Sequence, residues 1–289
     1  MPTWRNAPPP AGATEHGGGP QRGLVRRPAS TPVFDVRRYP PGAGLEPWFE
    51  QLWTVDWDLG EADAHESSVI SFPALHLTAE WGDPGELRHG LPLPATLLHG
   101  VVSSVFRVQL RGAGGVVGAR FAPGGFRAWT GVQARPLRDR AVPALDLLGP
   151  GLGPLHEGLH ALPPARRATA FADRLRGWQP RAAPEEDLAD LLRRMATDPT
   201  LVRVEQVGEL SGWSMRTLQR RFAAELGVPP KWVLARYRLQ EAALALEQDP
   251  AVDLAALAVR LGWYDQAHLT NDFRRMLGET PAQYAARSR

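Results

Sequence analysis

The sequence contains no cysteine and a single lysine, Lys231. Without cysteine there is no disulfide, no thiolate metal site and no cysteine nucleophile. No apolar run reaches the roughly 18 residues that a membrane-spanning helix needs, and no secretion-signal pattern is present. A soluble, cytoplasmic protein without membrane contact is therefore expected. Also missing are a Gly-x-Ser-x-Gly nucleophile elbow and a phosphate-binding glycine loop, so the common hydrolase and nucleotide-binding classes have no support. His65, His76, His89 and His99 stand singly, with no His-x-His pair. Neither a metal site nor a cofactor is expected from that spacing. The charge balance, 33 basic against 31 acidic residues, points to no partner by itself. What matters is where the arginines cluster.

What is present is a tandem pattern between Val204 and Tyr284. Each copy reads as a short helix, a Gly-Trp turn and a second helix ending Phe-x-x-x-Leu-Gly, followed by proline. The pairs are Gly212-Trp213 and Gly262-Trp263, Phe222 and Phe273, Leu226-Gly227 and Leu277-Gly278. A repeat at this spacing is first a statement about fold. In the first copy Val204, Val207 and Leu210 mark the inner face of the short helix. Ser214 is an N-cap, and Leu218, Phe222 and Leu226 form the inner stripe of the longer helix. Its outer face carries Arg216, Thr217, Gln219 and Arg220, with Arg221 at the flank. Arg and Gln on such a face can make paired contacts to guanine and adenine in the major groove of double-stranded DNA.

The second copy places Leu254, Leu257, Ala258 and Leu261 inside, Asp265 as N-cap, and Leu269, Phe273 and Leu277 on the inner stripe. Gln266, Ala267, Thr270, Asn271 and Arg274 face outward, and Asp272 sets a negative charge beside Asn271. Between the copies, Trp232 to Glu247 lacks Gly and Pro and is rich in helix formers, so one long helix is expected. Such a rod fixes the distance between the two outer faces. If both enter successive major grooves, they stand about 34 Å apart.

These residues resemble the DNA-binding domain of the AraC/XylS family of transcription regulators. The matching positions are Gly212-Trp213-Ser214 with Arg216, Leu218 and Phe222, then Arg238-Leu239 with Ala242. Leu261-Gly262-Trp263 to Phe273, and Thr280-Pro281 to Tyr284, complete the match. The resemblance covers about the last 100 residues and implies two helix-turn-helix motifs. It implies base reading by Arg216, Gln219 and Arg220 in the first long helix, and by Gln266, Ala267, Thr270 and Asn271 in the second. Many members carry Arg where this chain has Asn271.

Ahead of that domain, residues 1–32 form an expected disordered arm rich in Pro and Gly, in which Arg22, Arg26 and Arg27 either belong to a solvated tail or touch DNA phosphates. Residues 33–142 read as β. Strands are expected at Phe34–Val36, Gln51–Trp57, Ser68–Phe72, Leu75–Trp81, Thr96–Leu98, Val105–Leu110 and Val116–Phe121, with glycine turns such as Gly112 to Gly115 between them. Many short strands suggest a barrel or sandwich. Val117 to Gly125 resembles a motif of a cupin-like sensor domain that precedes some AraC-type domains. Trp53, Trp57, Phe72 and Trp81 either line an apolar ligand pocket or fill a small core. Arg107 and Arg120 hold a carboxylate ligand if they point inward, and are plain surface charge if they point outward. Residues 143–183 read as short helices and a linker, and 184–289 as the DNA-binding domain. In the connector, Ala168, Phe171, Ala172 and Leu175 form a stripe that packs either on the sensor or on a second copy of itself.

The expected fold class is thus α+β: a β-barrel or cupin-like domain, then an all-α domain with two helix-turn-helix motifs. The expected function is a sequence-specific transcription regulator, not an enzyme, modulated through its first domain. Expected partners are double-stranded DNA, a second copy as homodimer, an unknown small-molecule effector and RNA polymerase. The alternatives are a constitutive binder whose first domain holds a protein partner, or an enzyme fused to a DNA reader.

Overall fold

The computed structural model describes residues 34–60, 64–69 and 71–287, so the arm expected at 1–32 lies outside the described residues. The described residues hold ten strands: β1 (Phe34–Tyr39), β2 (Phe49–Asp58), β3 (His65–Val69), β4 (His76–Trp81), β5 (Leu87–Arg88), β6 (Leu91–Pro92), β7 (Ala95–His99), β8 (Phe106–Leu110), β9 (Ala113–Phe121) and, after the first helix, β10 (Ala141–Pro143). Six of them make one sheet in the order β1-β2-β9-β4-β7-β10, and every pairing in it is antiparallel. β3 and β8 form a separate ribbon, and β5 and β6 a minimal hairpin. The expected barrel therefore does not close by hydrogen bonding. It is an open sheet with the ribbon laid over one face.

The alternation along the strands explains both faces. Leu52, Val117, Ala119, Leu77 and Leu98 point to the main core, where Phe49, Phe121 and Trp129 join them. Trp53, Thr78 and His99 point to the ribbon side, and Gly118 stands between Trp53 and Thr78 in the register. The Gly112–Gly115 run, expected to be a turn, is mostly strand: Gly114 and Gly115 belong to β9. Their role is room for indoles. A Cβ would stand 2.5 Å from the Trp57 ring at Gly114, from Trp81 at Gly115 and from Trp53 at Gly118. β3 also starts earlier than expected, at His65.

The helices are α1 (Gly125–Thr130), α2 (Ala144–Leu148), α3 (Pro164–Arg176), α4 (Glu186–Thr197), α5 (Val204–Ser211), α6 (Met215–Glu225), α7 (Pro230–Gln248), α8 (Leu254–Arg260), α9 (Gln266–Leu277) and α10 (Pro281–Arg287). The stripe Ala168, Phe171, Ala172 and Leu175 of α3 is buried, with Phe171, Ala172 and Leu175 in the sheet's own core. Arg167 anchors α3 through Asp56 at 2.5 Å and stacks over Trp81. Of the two expectations for this stripe, packing on the sheet is the one realised.

The first helix-turn-helix, α5–α6, shares the sheet's core through Val207, Leu218 and Phe222, as does the start of α7 through Val233 and Leu234. Leu210, expected inside, is exposed. α5 is only two turns long, and its buried face narrows to Val207. The second motif, α8–α9, has a core of its own with the end of α7 and α10: Leu246, Leu257, Leu269, Phe273 and Tyr284.

Among the polar contacts that join the halves, two involve buried charged side chains. Arg236, in the middle of α7, has no solvent exposure. Its Nε donates to Ser71 O at 2.9 Å, and its Nη2 donates to Ser71 Oγ at 2.8 Å and to Ser104 O at 3.1 Å. Glu225, at the end of α6, is buried 3.8 Å from Arg127 of α1.

Replacing Arg236 by Ala removes a charged donor set, leaving Ser104 O without its donor and Ser71 O with only the 3.5 Å bond from Gln240. A loss of about 2–4 kcal/mol in unfolding free energy is expected by urea titration. For Glu225, burial pushes the carboxyl up to about 7 while Arg127 draws it down. Its folded pKa lies above the unfolded value, so the native state holds the extra proton between about pH 4.5 and about pH 7. Stability is therefore lost as pH rises through that window. Glu225→Gln is expected to flatten this slope and to stabilise the protein at pH 8 by about 1–3 kcal/mol. Equal midpoints for the two proteins at pH 8 would show that the buried charge costs nothing.

Candidate functional site

The two outward helix faces come first. Ser214 caps α6 by accepting from Thr217 N at 3.2 Å, and Asp265 caps α9 by accepting from His268 N at 2.7 Å. Gly212 and Gly262 sit at φ 68° and 79°, which a residue with a Cβ adopts only at a cost. Leu218, Phe222, Leu269 and Phe273 are fully buried beneath the two helices. With those stripes inside, Arg216, Gln219 and Arg220 stand exposed on α6, and Gln266, Ala267, Asn271 and Arg274 on α9. Thr217 and Thr270 are half-buried at the edges of these faces. Arg216 and Arg220 are one turn apart and form no ion pair among the described residues.

Arg221 is different. Its guanidinium pairs with Glu185 and with Asp187 at 2.8 Å, and lies 3.8 Å over the Trp213 ring. Of the basic residues expected on the first reading face, it is the one the structure directs to intramolecular work. Asp272 is likewise turned away. It accepts from Trp263 Nε1 at 2.9 Å and from Arg275 at 2.7 Å, and Arg238 of α7 stacks over the same indole. Its charge is thus absorbed beneath α9 and does not oppose Asn271. Each Gly-Trp turn therefore has an arginine over its indole, supplied by a different helix in each copy. Tyr264, beside the start of α9, is among the most exposed large side chains at 88%.

The second candidate is a cavity of about 240 Å³ between the open sheet and the β3–β8 ribbon. That is slightly below the range of sites for drug-sized molecules. Of the residues for which lining a pocket was one of two alternatives, Trp53, Trp57, Phe72 and Arg120 line this cavity. Trp57 also forms a small core with Leu110 and Val116 at the ribbon. Trp81 and Arg107 do not line the cavity. Trp81 alternates to the opposite face beneath Arg167, and Arg107 is largely exposed on the outer face of β8. Arg120 lies 4.4 Å over the Phe72 ring and pairs with Glu50 at 2.9 Å, so its charge is already answered.

The polar part of the cavity is titratable. Glu80 accepts from His99 Nε2 at 2.9 Å, from Thr78 Oγ1 at 2.7 Å and from Arg88 at 3.3 Å. Burial opposes the Glu80 charge, but the His99 hydrogen bond and the charges of His99, His89 and Arg88 hold its pKa down to about 2. Burial, with His99 nearby, pushes His89 down to about 4. His76 is pushed down to about 3 by burial and the nearby Arg120, and its Nδ1 accepts from Trp53 Nε1 at 3.2 Å. Glu80, His89 and His99 present oxygen and nitrogen atoms all within 4.8 Å of one another. The sequence reading missed this cluster because its members come from β4, the β5–β6 turn and β7. One signal was available. His89-Gly90 occupies a two-residue turn where Asn-Gly is the usual choice.

Comparison with known proteins gives matches at both ends. A family described as "Helix-turn-helix domain" matches residues 209–287, and one described as "Domain of unknown function (DUF6597)" matches residues 37–143. The HTH-type transcriptional regulator GlxA of Rhizobium meliloti is 29% identical, covering 90% of this chain and 87% of that protein. The HTH-type transcriptional regulator VirS of Mycobacterium tuberculosis is 45% identical over 71 residues, 25% of this chain and 20% of VirS. The structure of ToxT from Vibrio cholerae covers 88% of this chain and 97% of its own, at 8% identity and a TM-score of 0.39. The helix-turn-helix match spans nearly all of the tandem motif, and the relatives GlxA and VirS are HTH-type transcriptional regulators: the chain carries an AraC/XylS-type helix-turn-helix domain at residues 209–287.

Proposed function

We propose that this regulator reads a bipartite DNA site with α6 and α9, and that occupancy of the cavity under the β3–β8 ribbon alters how those helices are offered. The observation that carries the first half is the exposed pair Arg216 and Arg220, without an ion pair among the described residues, with Gln219 between them above a fully buried stripe. On α6, Ser214 and Thr217 contact phosphates at the helix start, where backbone N–H groups favour anions. Arg216, Gln219 and Arg220 read base edges. On α9, Gln266, Ala267, Thr270 and Asn271 face the bases and Arg274 the backbone. Arg221 supports Trp213 instead of touching DNA.

The second half rests on Ser71. It lines the cavity and is also the residue that Arg236 of α7 grips. A small, largely apolar molecule that fits one arrangement of this wall better than another shifts the position of α7. Only that difference in affinity supplies the driving force. The expected setting is the cytoplasm; no helix among the described residues is long and apolar enough to cross a membrane. A homodimer places one protomer on each half-site, through a surface other than the α3 stripe. Contact with RNA polymerase then falls to groups outside both reading faces. If every small molecule leaves DNA binding unchanged, the first domain is a protein-interaction module on a constitutive binder.

Selection of bound sites from random DNA is expected to return two short boxes about one helical turn apart. Arg220→Ala is expected to weaken binding to the selected site by about 1–3 kcal/mol while sparing competitor DNA. Arg221→Ala should lower stability more than base discrimination. A selection that returns no preferred sequence at moderate salt would refute base reading by both helices.

A further inference from the structure

We propose that Glu80, His89 and His99 form a binding site for a first-row divalent cation in the wall of the sensor cavity. The proposal concerns the first domain alone and does not depend on how α6 and α9 meet DNA.

Three independent features support it. The first is the donor set. His99 Nε2 and Glu80 Oε1 are 2.9 Å apart, close to the separation of two neighbouring ligands on one ion held at about 2.0–2.2 Å. His89 offers a third atom within 4.8 Å of both. Two imidazoles and one carboxylate suit zinc or iron(II) better than magnesium or calcium, which prefer oxygen alone.

The second feature is how the carboxylate is held. Arg88 donates to Oε2 of Glu80, at 3.3 Å, and Thr78 donates to Oε1. Arg88 is itself fixed by Glu86 at 2.8 Å and by the Trp57 ring. Oε1 is therefore aimed at His99 by partners one layer out, as ligating carboxylates are. Glu86 also balances the arginine charge that would otherwise repel a cation.

The third is backbone strain at His89. Its φ is 55°, in the left-handed region, and Gly90 follows at 75°. Asn or Gly adopts that first turn position more readily than His. A histidine kept there brings its ring to His99 at 5.0 Å between centroids, with Phe106 packed against both rings. Strain of this kind is retained where the side chain has work to do. Three protein ligands leave at least one coordination position free, and all three ligands line the cavity.

The test uses tag-free, chelator-stripped full-length protein titrated with Zn2+ by calorimetry, and with Co2+ for its visible absorption. One ion per chain is expected, together with an upward shift of the melting temperature. His89→Asn keeps a residue suited to the turn while removing the imidazole. It should fold as the parent does and lose more than the about 10–100-fold in affinity that removal of an outer-layer partner costs. Glu80→Gln should lose affinity as well, whereas His160→Gln, at a distant site, should bind as the parent does. Full binding by His89→Asn, or no stoichiometric Zn2+ in the parent, would overturn the assignment.

Discussion

One buried guanidinium holds this architecture together. Arg236 sits midway along α7, a helix whose first half belongs to the sheet's core and whose second half belongs to the core of α8–α9. Burial lowers its pKa to about 10, so it stays charged at neutral pH. A charge without solvent contact persists only where dipoles answer it. Those dipoles are Ser71 O, Ser71 Oγ and Ser104 O, all from loops of the sheet domain. The strongest polar link between the DNA-facing half and the sheet therefore runs through the wall of the cavity.

The two helix-turn-helix units differ in consequence. α6 is fixed at its far end: Ala134 N donates to Ala224 O at 2.8 Å, and a Cβ on Gly227 would stand 2.8 Å from Ala134 O. α9 rests on its own apolar cluster, against which Val105 of the sheet domain packs. A change in the cavity thus has little freedom to rotate α6 against the sheet. On the proposed reading, what it alters is the path of α7 beyond Arg236, and with it the spacing of α9 from α6. Spacing is the quantity a bipartite site reads, because half-sites must match a fixed rise along the duplex.

Much of the helical half was legible because its signals are local. N-caps at Ser214 and Asp265, glycine turns and i, i+4 stripes each depend on a few neighbouring residues. What sequence reading missed depends on distant partners. Arg221 and Asp272 look like surface charges until Asp187 and Trp263 are placed beside them. Gly114 and Gly115 look like a turn until the indoles of Trp57 and Trp81 fall across the strand. Single histidines at 76, 89 and 99 carry no pattern, yet the pairing of β4 with β7 sets His76 opposite His99, and the β5–β6 turn brings in His89.

The cavity itself argues against a purely structural role for the first domain. A sheet that needs only a core already has one on its other face, where Leu52, Val117, Leu77 and Leu98 are fully packed. The ribbon side instead keeps Glu80, Thr78, His76 and His99 away from bulk water. Burying these groups costs more than burying apolar side chains of the same size. Part of the cost is offset inside the cluster by the Arg88 and Thr78 hydrogen bonds. The remainder is stability the fold gives up to keep polar groups facing an internal space. Such a concession is expected where the space is meant to recognise something.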